Sequence, residues 1–539
     1  MSYMFKGCKK LINIDLTKIN TNKVQKMNSM FADCFSLENI DISTFNLSLV
    51  QSTESMFNGC YNLKTIQLPI SINNNLISMN KMFANCAGLT SISLENFDTS
   101  SVKNMDRMFE NCINLINVNF IGIDISNLNS ISYLFSNCSK LKEIDLSFLN
   151  QTNIDDLSGL FYRCQSLENI NIEKINLLKT TKLSCLFEGC TNLKAINLNI
   201  NTSNIESIDH LFSDCVNLEE VNFSNFDTSK VKNMSSLFKG LSKIKVIDLS
   251  NFVVSNCLNM SSMFEGCSTL ENIIFGNNFN SINVLDMSRM FKGCSNLTSL
   301  SFSSFRTDNV KTFNLMFSEM EKITELNLSN FKTENVEDIE VMFSNCVNLK
   351  RLDLSSFNTK NVERMNWLFY CCTSLTSIDI TNFNTSKEYR ARNLFSYCYN
   401  LTSLNLKSMD TRKMKLMNGM FYSCHNLLSL DLSNFDTRSA IDMSSMFFDC
   451  HKLKYINLSN FDTKNVEMVF MMFYGCINLE FLNITNFVFN KMIYYHRMFD
   501  NDAKLHLIIT SDFYDGIIDQ NEYLKVIADN VTIINSTTY

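Results

Sequence analysis

The sequence predicts an α/β repeat solenoid of about 20 coils, with a parallel sheet on one side and short helices on the other. Three observations predict it. A phenylalanine returns about every 26 residues from Phe5 to Phe499. Apolar residues after each anchor alternate with the period of a strand, and those before it recur with the period of a helix.

The anchors run Phe5, Phe31, Phe57, Phe83, Phe109 and onward through Phe473 to Phe499, 20 in all. Of the 19 intervals, only Phe187 to Phe212 (25) and Phe264 to Phe291 (27) depart from 26. The missing residue is expected to fall near 199–206 and the extra one near 275–285, both in turns.

The strand follows the anchor. Six residues on stands Leu or Ile in all 20 units, and nine on stands Ile, Leu or Val. Eleven on stands Leu, Ile or Phe in every unit but the last, where Thr510 stands. Polar residues between the last two give the period-2 pattern of a short strand with one buried face.

The helix is expected before the anchor. Val231, Met234, Leu237, Phe238 and Leu241 lie at i, i+3, i+6, i+7 and i+10 on one helical face. Thr228 and Ser229 stand ahead of them as N-cap candidates. Two residues past the anchor, seven units carry Gly, five Asn and three Asp, residues that tolerate the left-handed conformation of a helix C-cap. A lone unit cannot bury its apolar side, whereas stacked units bury a continuous core. Nineteen steps at about 4.8 Å predict a rod or arc on the order of 90 Å.

Composition agrees with a folded chain: 45% of its residues are hydrophobic and 11% aromatic. A net charge of −7 argues against a nucleic-acid platform. No apolar run approaches the ~18 residues of a membrane span. One proline and no Gly/Ser-rich hinge leave the chain as one continuous object.

The unit, represented by "VNFSNFDTSKVKNMSSLFKG" at 221–240, resembles the BspA-type leucine-rich repeats. It is most similar to the 26-residue surface-protein repeat of mycoplasmas, other bacteria and some protists, a domain of unknown function. The resemblance covers roughly 1–510 and rests on Met-Phe-x-x-Cys-x-x-Leu followed by Leu-Asp-Leu-Ser-x-Phe-x-Thr. It implies a cell-surface or secreted protein, often an adhesin, that binds other macromolecules and has no enzymatic activity. Met1 falls inside a unit, with no leader visible before it. An intracellular protein–protein interaction scaffold is therefore the alternative, which the many unpaired thiols favour.

Seventeen of the 20 cysteines stand three residues after an anchor, Cys8 to Cys476. Leu241, Met320 and Asp502 fill the same slot in the other units, so the slot asks for a small buried hydrophobe that free Cys supplies. Equivalent cysteines of neighbouring coils approach to about 5 Å, inside disulfide range, but their parallel Cβ vectors make bridging awkward. The pairs Cys424-His425 and Cys450-His451 invite a metal reading. Their histidine position holds Lys9, Phe35, Tyr61 and Ala87 elsewhere, so the pairs read as a coincidence of phase. The five histidines look scattered, without evident partners, and no metal or cofactor is expected.

Ten residues after each anchor runs an outward row with seven aspartates, Asp15, Asp41, Asp145, Asp248, Asp353, Asp379 and Asp431, eight asparagines, and Ile509 in the last unit. Hydrogen-bonded ladders on a solvated sheet account for it without function. A polar face for a protein or glycan partner is the functional reading, and the seven aspartates are its candidate residues. Calcium between stacked carboxylates such as Asp353 and Asp379 lacks the glycines and extra carboxylates of known calcium loops. No G-x-S-x-G, H-E-x-x-H, P-loop or G-x-G-x-x-G motif is present. Neither catalytic residues nor a nucleic-acid partner nor a membrane span is expected.

The repeat dissolves at the C-terminus. The last unit keeps Phe499, Leu505 and Ile508, and beyond it no anchor recurs. Residues 1–510 read as the solenoid and 511–539 as a cap. In that cap, Tyr523, Leu524 and Ile527 line a short helix and "VTIIN" closes the sheet. The first coil, which begins mid-unit, is expected to be poorly covered.

Overall fold

The structure is a computed structural model. It describes residues 1–70, 75–95, 97–151, 154–173, 175–387, 390–488, 491–499, 505–517 and 531–534. The chain forms two compact units, Met1–Phe279 and Asn280–Tyr539. Each winds as a parallel-strand solenoid, about 18 turns in all.

In the first unit the strands are β1 (Asn39–Asp41), β2 (Thr65–Gln67), β3 (Ser91–Ser93), β4 (Asn117–Asn119), β5 (Ala195–Asn197), β6 (Glu220–Asn222), β7 (Val246–Leu249) and β8 (Asn272–Phe275). They pair two by two and in parallel: β1 with β2, β3 with β4, β5 with β6, and β7 with β8. The second unit has β9 (Glu325–Asn327) beside β10 (Arg351–Asp353), and a four-stranded run of β11 (Tyr455–Asn457), β12 (Phe481–Asn483), β13 (His506–Thr510) and β14 (Val531–Ile534). These strands stand at expected positions, and Ile40, Ile92, Ile247 and Leu482 in them are buried, whereas the coils at 14–16, 144–146, 170–172, 300–302, 378–380, 404–406 and 430–432 form no strand there.

The expected short helices are not there. Among the described residues the helices are a 3-10 turn at Ser147–Gln151 and α1 at Ser511–Ile517. Hydrogen bonding between coils explains the difference. The amides of Ile339, Val341, Phe343 and Asn345 donate to the carbonyls of Arg364, Asn366, Leu368 and Tyr370 in the next coil, at 2.8–3.0 Å. The intervening amides of Met342, Ser344 and Cys346 donate three residues back, to Ile339, Val341 and Phe343. Every second amide thus leaves its own coil, which an α-helix, with all its amides bonded internally, forbids. The result is a chain of tight turns that forms a second ladder beside the strands.

Three-residue turns reproduce the spacing of a helical face. Val231, Met234, Leu237, Phe238 and Leu241 are therefore all buried, as a helix would have had them. The left-handed residue two past the anchor is also present, for example Gly240 (φ 75°) and Asn345 (φ 60°). A second left-handed residue stands two before the anchor whatever its side chain, including Val341 (φ 62°) and Trp367 (φ 54°). For such residues the conformation costs about 1–2 kcal/mol. The inter-coil bond made by the same residue's N–H offsets it.

Thr228 is likewise not a helix cap. Its hydroxyl donates to the Val253 carbonyl (2.9 Å) and accepts from the Val253 amide (2.8 Å), bracketing the next coil. The amide of Ser229 goes to the Asp227 carboxylate.

The anchors stack as a column of nearly parallel rings. Their centroids are 5.1–6.2 Å apart from Phe5 to Phe264 in the first unit. In the second unit, Phe291 to Phe499, they are 5.4–5.9 Å apart. Beside them runs the cysteine column. Sixteen of the 17 in-phase thiols are buried, Cys8 alone being exposed, and none of the 20 cysteines is in a disulfide. The slot supplies more than apolar volume: the Cys346 thiol donates to the Phe317 carbonyl of the preceding coil at 3.0 Å, and the Cys60 thiol to that of Phe31 at 3.2 Å.

Both irregularities sit in turns. After β5 the chain reaches Thr202 one residue early, and Ile200 bonds two residues back to Leu198 where Phe226 bonds three back to Phe223. The extra residue falls between β8 and Asp286, where the ladder of bridges resumes. The last strand corrects the sequence phase. β13 pairs Leu482 with Leu507 and Asn483 with Ile508, so Leu507 and Ile509 face inward while Ile508 takes the outward row. One residue fewer separates Phe499 from β13 than separates Phe473 from β12, which shifts every side chain of the strand to the other face.

The closing strand exists: β14 pairs in parallel with β13, and Phe513 of α1 packs its buried ring edge-on to Phe487 at 5.9 Å. The cap helix expected around Tyr523, Leu524 and Ile527, and the Asp502 slot, lie outside the described residues. At the other end Tyr3 and Met4 are 61% and 53% exposed. No helix among the described residues is long and apolar enough to cross a membrane.

Candidate binding surfaces

The outward strand row is built by short turns of its own. Each of the seven aspartates is exposed. Each accepts, through Oδ1, the backbone N–H two residues on: Thr17, Ser43, Ser147, Ser250, Ser355, Thr381 and Ser433, at 2.8–3.1 Å. Asparagines in the row do the same, as Asn119 to Ile121 and Asn457 to Ser459. The side-chain oxygen turns the chain out of the strand. This explains why Asp and Asn alternate freely there; a ladder bond between coils also occurs in the row, from the Asn119 side-chain amide to the Ser93 hydroxyl at 3.2 Å. Hydrogen bonds from Ser355 and Thr381 hold the Asp353 and Asp379 carboxyls below the usual carboxylate range.

Of the seven, the structure brings Asp353 and Asp379 together. They line a shallow groove of about 350 Å³ on the strand face with Glu325, Asn327, Lys350 and Arg351. Arg351 pairs with Glu325 inside it. In the first unit Asp145 and Asn171 line a groove of about 720 Å³. Asp15, Asp41, Asp248 and Asp431 line neither.

A second surface escaped the sequence reading. On the turn side of the second unit, Trp367, Tyr370, Tyr397 and Tyr422 line a groove of about 400 Å³ with Val341, Ser344 and Asn393. The tyrosines contact edge-on or tilted, Tyr370–Tyr397 at 5.3 Å and Tyr397–Tyr422 at 5.1 Å. The row continues as stacked pairs Tyr422–Phe448 (4.4 Å) and Phe448–Tyr474 (5.1 Å). All are half-buried. Burial and the neighbouring Tyr397 push the Tyr422 hydroxyl up to about 12, which keeps it neutral. The available signal was aromatic residues recurring one position after the anchor, at Tyr370, Tyr422, Phe448 and Tyr474.

The histidines are not all scattered. His425 and His451 stack at 4.4 Å, and Tyr399 stacks on His425 at 4.6 Å. The cysteines of the two Cys-His pairs turn away into the core, their thiols on the Phe395 and Phe421 carbonyls.

No curated protein is similar to this chain. Solved structures similar to it include a leucine-rich repeat protein from Bacteroides ovatus, 18% identical over 94% of this chain and 86% of that one, with a TM-score of 0.24. A leucine-rich cell surface protein from Faecalibacterium prausnitzii is 15% identical over 76% and 84%, with a TM-score of 0.30. A leucine-rich repeat protein from Eubacterium ventriosum is 14% identical over 66% and 76%, with a TM-score of 0.28. The family described as "Mycoplasma protein of unknown function, DUF285" matches residues 1–87, 77–198, 181–301, 285–404 and 390–511. Matched by five overlapping stretches from residue 1 to residue 511, the chain belongs to that family.

Proposed function

We propose that this chain is a non-catalytic binding protein, secreted or displayed at a cell surface, that contacts a partner protein or glycan in the manner of an adhesin. One observation carries the reading: the half-exposed groove of Trp367, Tyr370, Tyr397 and Tyr422, with Ser344 and Asn393 at hand. Rigid aromatic faces bring large contact area at small entropic cost, and a few polar groups orient the ligand. The strand-face groove around Arg351, Asp353 and Asp379 supplies a second, charged contact area.

Trp367 is the chain's one tryptophan, so its fluorescence reports on that groove alone. Titration with a glycan library and with surface proteins, followed by that fluorescence, tests the reading. The expected result is a saturable change with a ligand whose binding Tyr397→Ala weakens at least about tenfold, the scale of one hot-spot aromatic. Binding unaffected by both Tyr397→Ala and Trp367→Ala, the second followed by calorimetry because it removes the fluorophore, would place the partner elsewhere and overturn it.

The second reading is an intracellular scaffold, and the free thiols favour it. Their burial weakens the argument. Thiols sealed inside the core resist oxidation in either compartment, so reduced cysteines fit both readings.

A further inference from the structure

We infer that His425, Asp449 and His451 form a binding site for a first-row divalent transition-metal ion, zinc foremost, at the surface of the second unit. A nitrogen from each imidazole and a carboxylate oxygen all lie within 4.8 Å of one another. Nε2 of His451 is 3.7 Å from Oδ1 of Asp449. Two imidazoles and a carboxylate suit zinc, nickel, cobalt and copper, and leave coordination positions open to water.

The backbone brings these groups together. His425 and His451 occupy equivalent positions in adjacent coils, and the Lys452 amide donates to the His425 carbonyl at 3.0 Å. The His451 amide donates to the Asp449 carbonyl at 2.9 Å, a tight turn that sets carboxylate and ring side by side. Asp449 is itself left-handed (φ 55°) and donates to Tyr474 of the next coil at 2.7 Å. The next coil leaves its carboxylate room: a Cβ on Gly475 would meet Asp449 Oδ1 at 2.0 Å. The same opening stands over Asp33 at Gly59 and over Asp214 at Gly240. It is a packing rule of the coil, and only at Asp449 are two imidazoles beside it.

The site needs a small adjustment to close. Ligands on one ion at ~2.1 Å lie about 3–3.5 Å from each other, so the three atoms must converge and the parallel rings must tilt. All three side chains are half-exposed and free of the core. The cysteines next to the histidines are excluded as ligands by burial, which makes the set nitrogen and oxygen only.

The test is calorimetric titration of the full chain with zinc chloride, with cobalt(II) absorption as a second readout. The expected result is one ion per chain, with weak d–d bands and no thiolate charge transfer. His425→Tyr and His451→Tyr keep a ring in the stack, since Tyr399 fills the same slot, but remove the ligand. Each is expected to lower affinity at least about tenfold, because loss of a direct ligand costs no less than loss of an outer partner. Asp449→Asn is expected to weaken binding by less, and His210→Ala to leave it unchanged. Circular dichroism and native thiol protection verify folding of each variant. Absence of saturable uptake, thiolate bands, or uptake unchanged in the His425→Tyr/His451→Tyr pair would each overturn the site.

Discussion

Replacing Thr359 with valine isolates the bond that brackets one coil to the next. The Thr359 hydroxyl accepts from the Asn384 amide at 2.7 Å and donates to the Asn384 carbonyl at 3.0 Å, with Thr359 fully buried. Valine has the same shape, so no cavity opens; what changes is that two backbone groups lose their partner. An unsatisfied buried donor or acceptor costs about 1–3 kcal/mol. Because Asn384 itself is exposed, water recovers part of this, and the expected loss is about 2–3 kcal/mol for the pair. Thr359→Ser keeps both bonds and loses one methyl, about 1 kcal/mol. The assay is urea unfolding followed by the fluorescence of Trp367, in the same coil, with amide exchange at Asn384 as the local probe. Valine is expected to be the worse substitution and to accelerate that exchange. If serine destabilises more than valine, packing and not hydrogen bonding fixes the threonine column, and the argument fails.

Four further outcomes follow from the same structure. Native thiol labelling should reach Cys8, Cys185 and Cys371, with denaturation releasing the rest, and Cys346→Ala should cost about 1–2 kcal/mol; rapid native labelling of most thiols would contradict the buried column. Gly276→Ala places a Cβ 2.0 Å from the Ser250 carbonyl oxygen and should destabilise the first unit by about 3 kcal/mol in thermal unfolding; Gly7→Ala, which meets nothing, should cost about 1 kcal/mol. The Arg306 guanidinium beside Asp308 lowers that carboxyl to about 2. A folded value below the unfolded one means stability present above about pH 4 and lost as pH falls toward 2, so Asp308→Asn should flatten the acid limb of the stability curve. Truncation after Thr510 removes α1 and β14, bares the β13 edge, and should bring aggregation and protease sensitivity; unchanged behaviour would deny 511–539 a capping role.

The strands, the inward slots and the sites of both length irregularities were readable because each depends on side-chain burial, which a 26-residue phase displays directly. Backbone conformation was not. A chain of three-residue turns and an α-helix bury the same residues at 231–241, and only the destination of the amides separates them. The signal available against a helix was weak: Thr and Asp/Asn recur at fixed points inside each unit, as at Asp227 and Thr228, where they bond in turns or across coils. The one-residue shift at β13 was hidden for a similar reason, since Leu507, Ile508 and Ile509 are all apolar and fit either register. The aspartate row was read as a face because its position is outward. Its composition reports the turn that each carboxylate closes.

The candidate surfaces lie where the backbone fixes conformation without fixing residue type. The positions two before, one after, two after and four after the anchor are held by inter-coil bonds, and they accept residues as different as Val341, Trp367 and Asn393. The aromatic groove uses the first three of these positions, in Trp367, Tyr370 and Tyr397. The metal-ligand cluster uses the last two, in Asp449 and His451. Each such position recurs about 26 residues on, directly above itself in the next coil, so a single substitution there extends or breaks a cluster without touching the core. Residues far apart in the chain thereby become neighbours by phase alone. Phase made His425 and His451 look incidental as sequence, and the same phase places their rings 4.4 Å apart.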